Sequence, residues 1–228
     1  MRVSFDGMEY VFDLNKHQRV ELHKGWDQYG NGSISLYGAV TPYNVLEAAS
    51  YKDIKKIVLI RINENKLVSL HTELDEDCSM EVLTYQNREG REAVQDSLEL
   101  ILNAVCAELQ EHCNFEIKCT DSQMKIHFLQ AVDIAAIMDM LQKLIQMNLP
   151  LRKLLMQVCS AKEILEYTKN TEAFKQLKAY DDYDSIILCQ CKKYYGLAKS
   201  CYVETSGWFT QCSYHCKFEE NSFVISGF

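Results

Sequence analysis

The sequence predicts an α+β protein, with helices packed on a mainly antiparallel sheet, and three observations carry that expectation. Short runs of alternating apolar residues recur along the chain, the mark of half-buried strands. Tight-turn residues such as Asp6-Gly7 and Thr120-Asp121-Ser122 join neighbouring runs into hairpins. Two longer segments, over 96–109 and 134–145, instead repeat their apolar residues at helical spacing.

In chain order, Val3 and Phe5 pair across Asp6-Gly7 with Tyr10, Phe12 and Leu14. A second hairpin has Val20 and Leu22 on one arm and Ile34, Leu36 and Tyr37 on the other, with Gly30-Asn31-Gly32 near its tip, and residues 15–38 read as an insertion. Thr41 followed by Pro42 is a capping hydroxyl with proline at the first helical position, so a short helix runs through Ala49. Residues 57–62 are β-branched and nearly continuous, as in a buried strand. Asn63-Glu64-Asn65 turns that strand into residues 66–70, and 79–84 make one more. Hairpin, helix, strand, turn and strand is the order of a β-grasp fold.

Glu89-Gly90-Arg91 reads as the break that separates a first domain, 1–88, from a second, 91–228. In the helix over 96–109, Leu98, Ile101, Leu102, Val105 and Leu109 form the buried face, while Asp96, Glu99, Asn103 and Gln110 fall opposite. A hairpin follows over 115–119 and 124–128. Next comes a helix striped by Ile134, Ile137, Leu141, Leu144 and Ile145 and ended by Pro150. A strand over 154–158, a helix capped by Ser160 and running through Tyr167, a helix over 171–177, and strands over 186–191, 208–215 and 223–226 complete the chain.

Composition bounds the partners. The 228 residues, 47% hydrophobic, suffice for one large core or two modest ones, and 2 prolines and 9 glycines leave little room for a disordered linker. A formal charge of -8 argues against a general DNA or RNA binder, which presents a basic face to release counterions. Lys52, Lys55 and Lys56 form a local basic cluster, readable as a site or as a solvated face. No apolar run reaches the roughly 18 residues that span a bilayer, so no membrane partner is expected and a cytoplasmic protein is. The 10 cysteines are then expected as reduced thiols.

Both halves resemble known modules. Residues 38–49, the strand to Asn63, Lys66-Leu67-Val68, Leu74, Asp77-Cys78 and the strand ending at Thr84 resemble the TGS domain. That domain is shared by threonyl-tRNA synthetases, certain GTPases, stringent-response enzymes and bacterial uridine kinase-like proteins. Residues 148–153, Ser160 to Glu166, Tyr194-Tyr195-Gly196 and Thr205-Ser206-Gly207-Trp208-Phe209 resemble the domain that follows TGS in the uridine kinase-like (nucleoside kinase) proteins. They are similar, more distantly, to the editing domain of threonyl-tRNA synthetase. In the kinase-like family a nucleotide-binding domain comes next.

The resemblance also implies where metal chemistry would sit. Such editing domains carry His-x-x-x-His on a helix and Cys-x-x-x-His before a strand, donors suited to zinc. Here the helix pair falls on Asp96 and Leu100 and the second pair near Ala198 and Tyr202, so none of the four matches. Leucine cannot ligate a metal, and inherited editing is therefore not expected.

The residues alone allow other chemistry. Cys189, Cys191, Cys212, His215 and Cys216, with Cys201 nearby, are compatible with a thiolate-rich zinc site, with thiol redox chemistry or with packing as small apolar groups. Asp181-Asp182-Tyr183-Asp184 is readable as a divalent-ion site or as a solvated loop. There is no Gly-x-x-x-x-Gly-Lys-Ser/Thr loop and no Gly-x-Ser-x-Gly elbow, and His17, His23, His71, His112 and His127 are isolated from one another in sequence. The aromatics Tyr194, Tyr195, Tyr202, Trp208 and Phe209 surround the place where an editing pocket would open, and their faces suit a nucleobase.

The expectation is a noncatalytic binding or regulatory module, with no resident cofactor, whose ligand site is Asp96, Tyr194, Tyr195, Tyr202 and Trp208. Its partner would be a nucleotide, a tRNA end or a kinase domain. The alternatives are a tRNA-editing deacylase with relocated ligands and a plain protein-interaction domain.

Overall fold

The computed structural model describes all residues except 15–18, 25–32, 38, 112, 200 and 218–220. Gly30-Asn31-Gly32, His17, Gly38 and His112 therefore lie outside the described residues. The fold is α+β, and the chain divides into two compact units, Met1–Gly90 and Arg91–Phe228.

The first unit is built on a seven-stranded mixed sheet in the order β4-β3-β2-β1-β7-β5-β6. Strands β1 (Arg2–Phe5) and β2 (Met8–Leu14) form the N-terminal hairpin, whose turn places Asp6 and Gly7 at φ 50° and 72°, the left-handed pair that matches strand twist. β3 (Arg19–Lys24) and β4 (Ser33–Tyr37) add the second hairpin at the sheet edge, with Val20 opposite Leu36 and Leu22 opposite Ile34.

Helix α1 (Pro42–Ala48) starts as its sequence dictates. The Thr41 hydroxyl accepts the Asn44 N–H at 3.4 Å and the Asn44 side chain accepts the Thr41 N–H at 2.9 Å, satisfying two orphan donors reciprocally. β5 (Ile57–Ile62) and β6 (Lys66–Val68) are joined by Asn63 and Glu64, both left-handed, with the Asn63 side chain accepting the Ser79 N–H at 2.8 Å. The expected strand over 66–70 thus stops at Val68. β7 (Cys78–Thr84) runs parallel to β1 and antiparallel to β5. Val45 and Leu46 of α1 bury against Val3, Tyr10, Phe12 and Ile60 of the sheet.

Helix α2 runs Arg88–Leu109, so Glu89-Gly90-Arg91, where the two compact units divide, is also its first turn. Gly90 is there because the backbone comes close: a Cβ at this position would lie 2.0 Å from the Thr84 carbonyl oxygen. Leu98, Ile101, Leu102 and Val105 are buried as the spacing requires, but so are Leu100, Ala104 and Cys106. The helix is covered around most of its circumference, and the expected polar face is reduced to a few paired charges.

The second unit holds two antiparallel sheets where the sequence suggested one. β8 (Phe115–Cys119), β9 (Gln123–Phe128), β13 (Ser213–Lys217) and β14 (Ser222–Ser226) form the first, in the order β13-β14-β9-β8. β10 (Arg152–Gln157), β11 (Ser185–Cys191) and β12 (Tyr194–Leu197) form the second, in that order. Helix α3 (Ile134–Gln146) buries its stripe of Ile137, Leu141, Leu144 and Ile145. It ends through left-handed Asn148, ahead of Pro150. Helices α4 (Val158–Tyr167) and α5 (Thr171–Gln176) supply Val158, Ala161, Leu165 and Ala173 to a core shared with Leu188 of β11.

The start of α4 and the run over 208–215 differ from expectation. Ser160 does not cap α4, because the helix begins at Val158. Its first free N–H groups, of Val158 and Cys159, are taken by the carbonyls of Asp184 and Asp182, so no side-chain cap is needed. The run over 208–215 is not one strand: Ser206–Gln211 is a 3-10 helix that carries Trp208, and β13 starts only at Ser213. β12 was not anticipated at all. No helix among the described residues is long and apolar enough to cross a membrane.

Candidate functional site

Asp96 and Tyr202, of the sequence-predicted residues, come together where α2 meets the β11–β12 hairpin and the segment 198–203. Asp96 lies on α2 with its side chain only 14% exposed, and the Lys199 ammonium sits 4.0 Å from it and 2.5 Å from Glu99. One turn beyond Asp96, Leu100 is 4% exposed and wholly aliphatic. Farther along the same helix, Glu108 pairs with Lys192, which follows β11, at 2.8 Å.

Behind these charges lies a chain of hydrogen bonds. The Lys199 backbone N–H donates to the Tyr202 hydroxyl at 2.9 Å, and that hydroxyl shares a hydrogen bond with the Cys189 thiol. The thiol in turn reaches the carbonyls of Gly196 and Leu197 at 3.4 and 3.6 Å. Next to it the Ser97 hydroxyl accepts the Val203 N–H at 2.8 Å. Ser97, Cys189, Tyr202 and Val203 are buried, and these hydroxyl, thiol and N–H groups are satisfied, as burial demands.

Burial fixes the protonation of this cluster. It pushes the Cys189 thiol up, the Tyr202 hydrogen bond opposing it only in part. Tyr202 is raised by burial first and then by its bond to Cys189. Tyr194 is pushed up to about 12 by burial and then by the nearby Cys189, and Cys191 to about 12 by burial. At neutral pH these thiols and phenols are therefore neutral, so they supply neither a thiolate nucleophile nor a phenolate base.

Not every predicted residue joins this group. Tyr194 and Tyr195 alternate on β12: Tyr195 packs with the α4–α5 core and its hydroxyl accepts from Gln190 at 2.8 Å, while the Tyr194 ring lies beside Gly196 and its hydroxyl accepts from Asn170 at 3.1 Å. Trp208 stacks on Phe228 with centroids 6.3 Å apart and meets Phe209 edge-on at 5.3 Å. Lys153, on β10, places its ammonium 5.8 Å from the centre of the Tyr202 ring, a cation–π distance.

The cysteine set is spread over two sheets. Cys189 and Cys191 are buried on β11, Cys212 is buried just before β13, and His215 and Cys216 are exposed on β13. Among the described residues no three His, Cys, Asp or Glu side chains come together as a metal site. In the acidic loop, Asp182 pairs with Lys162 at 2.6 Å and Asp184 accepts the Asp181 N–H at 3.0 Å. Two cavities lie elsewhere: one of about 510 Å³ lined by Glu111 and residues 130–133, and one of about 190 Å³ in the first unit between the Asn63 turn and residues 72–78.

Sequence reasoning missed Lys199, Ser97 and the inward role of Glu99. Ser97 left a trace, a small polar residue within an apolar helix. Lys199 left none, being 100 positions from Glu99. No protein-family model matches the chain, and no curated protein is detectably similar to it.

Proposed function

We propose that the chain is a noncatalytic binding module: a TGS-like β-grasp domain followed by a degenerate editing-like domain, as in the N-terminal region of uridine kinase-like proteins. The β-grasp reading is supported by the parallel pairing of β1 with β7 between two antiparallel partners, with α1 between the second hairpin and β5 in the chain.

The observation that carries the noncatalytic reading is the surroundings of Asp96. Where the resemblance implies a metal held between a helix pair and the segment near Tyr202, the Lys199 ammonium stands beside two carboxylates, and the second helix position is a buried leucine. A fixed ammonium meets the carboxylates' need for positive charge without any metal. Lys153 is exposed beside Tyr202, so the rim offers a cation to the phosphate of a nucleotide or RNA end.

The test is titration of the purified chain with labelled mononucleotides and with uncharged tRNA, read by fluorescence anisotropy. Binding that weakens at least tenfold in Lys153→Ala is expected. Hydrolysis of a mischarged tRNA, abolished by chelation, would overturn the proposal in favour of an editing deacylase. A second reading, a plain protein-interaction domain, is favoured by the satisfied hydroxyls of Tyr194 and Tyr195 and by the Trp208–Phe228 stack. Absence of nucleotide and tRNA binding alike would select it.

A further inference from the structure

Helix α2 ends in a defined cap. Gln110 takes the left-handed conformation at φ 58°, its N–H bonds to the Ala107 carbonyl at 3.2 Å, and the Glu111 N–H reaches back to the Cys106 carbonyl at 2.9 Å. This is the Schellman arrangement, which satisfies the last carbonyls and reverses the chain. Just past the cap stands Cys113. The residue after it is also held, because the Asn114 carbonyl accepts the Leu129 N–H at 2.9 Å and the Asn114 N–H donates to the Gln130 side chain at 3.4 Å. Cys113 is thus anchored from both sides against the last turns of α2.

The consequence is a pair of thiols in contact. Cys106, 4% exposed, and Cys113, half-buried, hydrogen-bond to each other, and the Cys113 thiol also donates to the Glu111 carboxylate at 3.9 Å. Sulfurs so placed need a small approach to reach the roughly 2 Å of a disulfide. Other thiols are engaged differently: Cys189 bonds to Tyr202 and to carbonyls of β12, and Cys119 to the Gln95 side chain at 3.2 Å.

We propose that Cys106 and Cys113 are a redox-active dithiol, which a small disulfide such as oxidised glutathione converts to an intramolecular disulfide. Cys113 is the entry point, since it is the more accessible of the two and the Cys106 thiol donates to its thiolate. That thiolate attacks one sulfur of the oxidant to form a mixed disulfide, and the displaced glutathione thiolate takes up the proton that Cys113 lost. Cys106 then loses its proton and attacks the Cys113 sulfur, and the second glutathione leaves as a thiol. Two protein thiols give up two electrons, and one disulfide is reduced to two thiols. Burial pushes Cys106 up, and burial with the Glu111 charge holds Cys113 up against the Cys106 hydrogen bond, so the exchange is slow at neutral pH. The product pins the last turn of α2, where Glu108 holds Lys192 at 2.8 Å.

The test is to incubate the folded full chain with millimolar oxidised glutathione, trap free thiols with N-ethylmaleimide, and map disulfides by mass spectrometry after cleavage at glutamate. Cuts after Glu108 and Glu111 put the two cysteines on separate peptides, so their linkage is read directly. In the wild type the Cys106–Cys113 linkage is expected to form first. Cys106→Ala should lose that linkage and stall as a mixed disulfide of Cys113 with glutathione, while Cys113→Ala should leave position 106 reduced. A wild-type chain that accumulates the mixed disulfide, links Cys113 to another cysteine first, or joins Cys106 to Cys113 only in urea would overturn the assignment. That wild-type map decides the matter even where a variant fails to fold.

Discussion

The hydroxyl of Ser97, in the middle of helix α2, accepts the backbone N–H of Val203 at 2.8 Å while donating to the carbonyl of Ala93 at 2.6 Å. Both Ser97 and Val203 are buried, so this one oxygen tethers the segment after Lys199 to the helix that carries Asp96 and Glu99. Ser97→Ala leaves the Val203 N–H without a partner away from water. A loss of about 1–3 kcal/mol is expected for an orphaned buried donor, measured by urea unfolding. An unchanged midpoint would show that the tether contributes nothing.

Tyr202→Phe removes only the hydroxyl that links the Lys199 N–H to the Cys189 thiol. The ring and its contact with Lys153 remain. Stability should fall by about 1–2 kcal/mol, and Cys189 should react faster with a thiol reagent under native conditions. Mass spectrometry of the labelled peptide reads this directly, and labelling no faster than in the wild type would refute the network.

The buried thiols and phenols give the fold an alkaline limit. Cys191 and Cys212 are each pushed up to about 12 from the ordinary 9.0, and Tyr194 to about 12 from 10.0, in every case chiefly by burial. From pH 9 for the two thiols and from pH 10 for Tyr194, up to about pH 12, the unfolded chain has released these protons and the folded one still holds them. Stability is therefore full below pH 9 and lost as pH rises through this window, by up to about 1.4 kcal/mol per pH unit for each group. Unfolding midpoints measured from pH 8 to 11 should fall progressively, and Cys191→Ala should flatten the slope even though it lowers stability at neutral pH.

Gly90→Ala and Gly7→Ala separate two uses of glycine. At Gly90 the new methyl would lie 2.0 Å from a backbone carbonyl oxygen, so the helix start must shift, at a cost of about 2 kcal/mol or more. At Gly7 nothing lies within 4 Å, and only the positive φ of 72° opposes the substitution, at a cost of about 1 kcal/mol. Thermal melts of the two variants should rank in that order, and the reverse order would contradict the close approach at Gly90.

What was legible in the sequence was what neighbours in the chain decide. Asp6-Gly7 makes its turn, Thr41-Pro42 starts α1, and the stripe of Ile137, Leu141 and Leu144 faces inward, because each depends on dihedral preference or periodicity within a few residues. The same reasoning failed where a remote partner replaced a local device. The α4 N-terminus needs no serine because the carbonyls of residues 182 and 184, just ahead of β11, take the N–H groups of Val158 and Cys159.

The candidate site divides in the same way. The sequence alone determined that Leu100 cannot ligate a metal and that Asp96 stands on a helix, since residue type and local spacing suffice for both. Only the tertiary structure decided that Lys199 meets Asp96 and Glu99, that Tyr202 and Cys189 are buried together, and that Tyr195 and Trp208 turn to other neighbours. Charge pairing and burial depend on distance in space, and 100 residues of chain separate Lys199 from Glu99 without any periodic pattern to betray the contact.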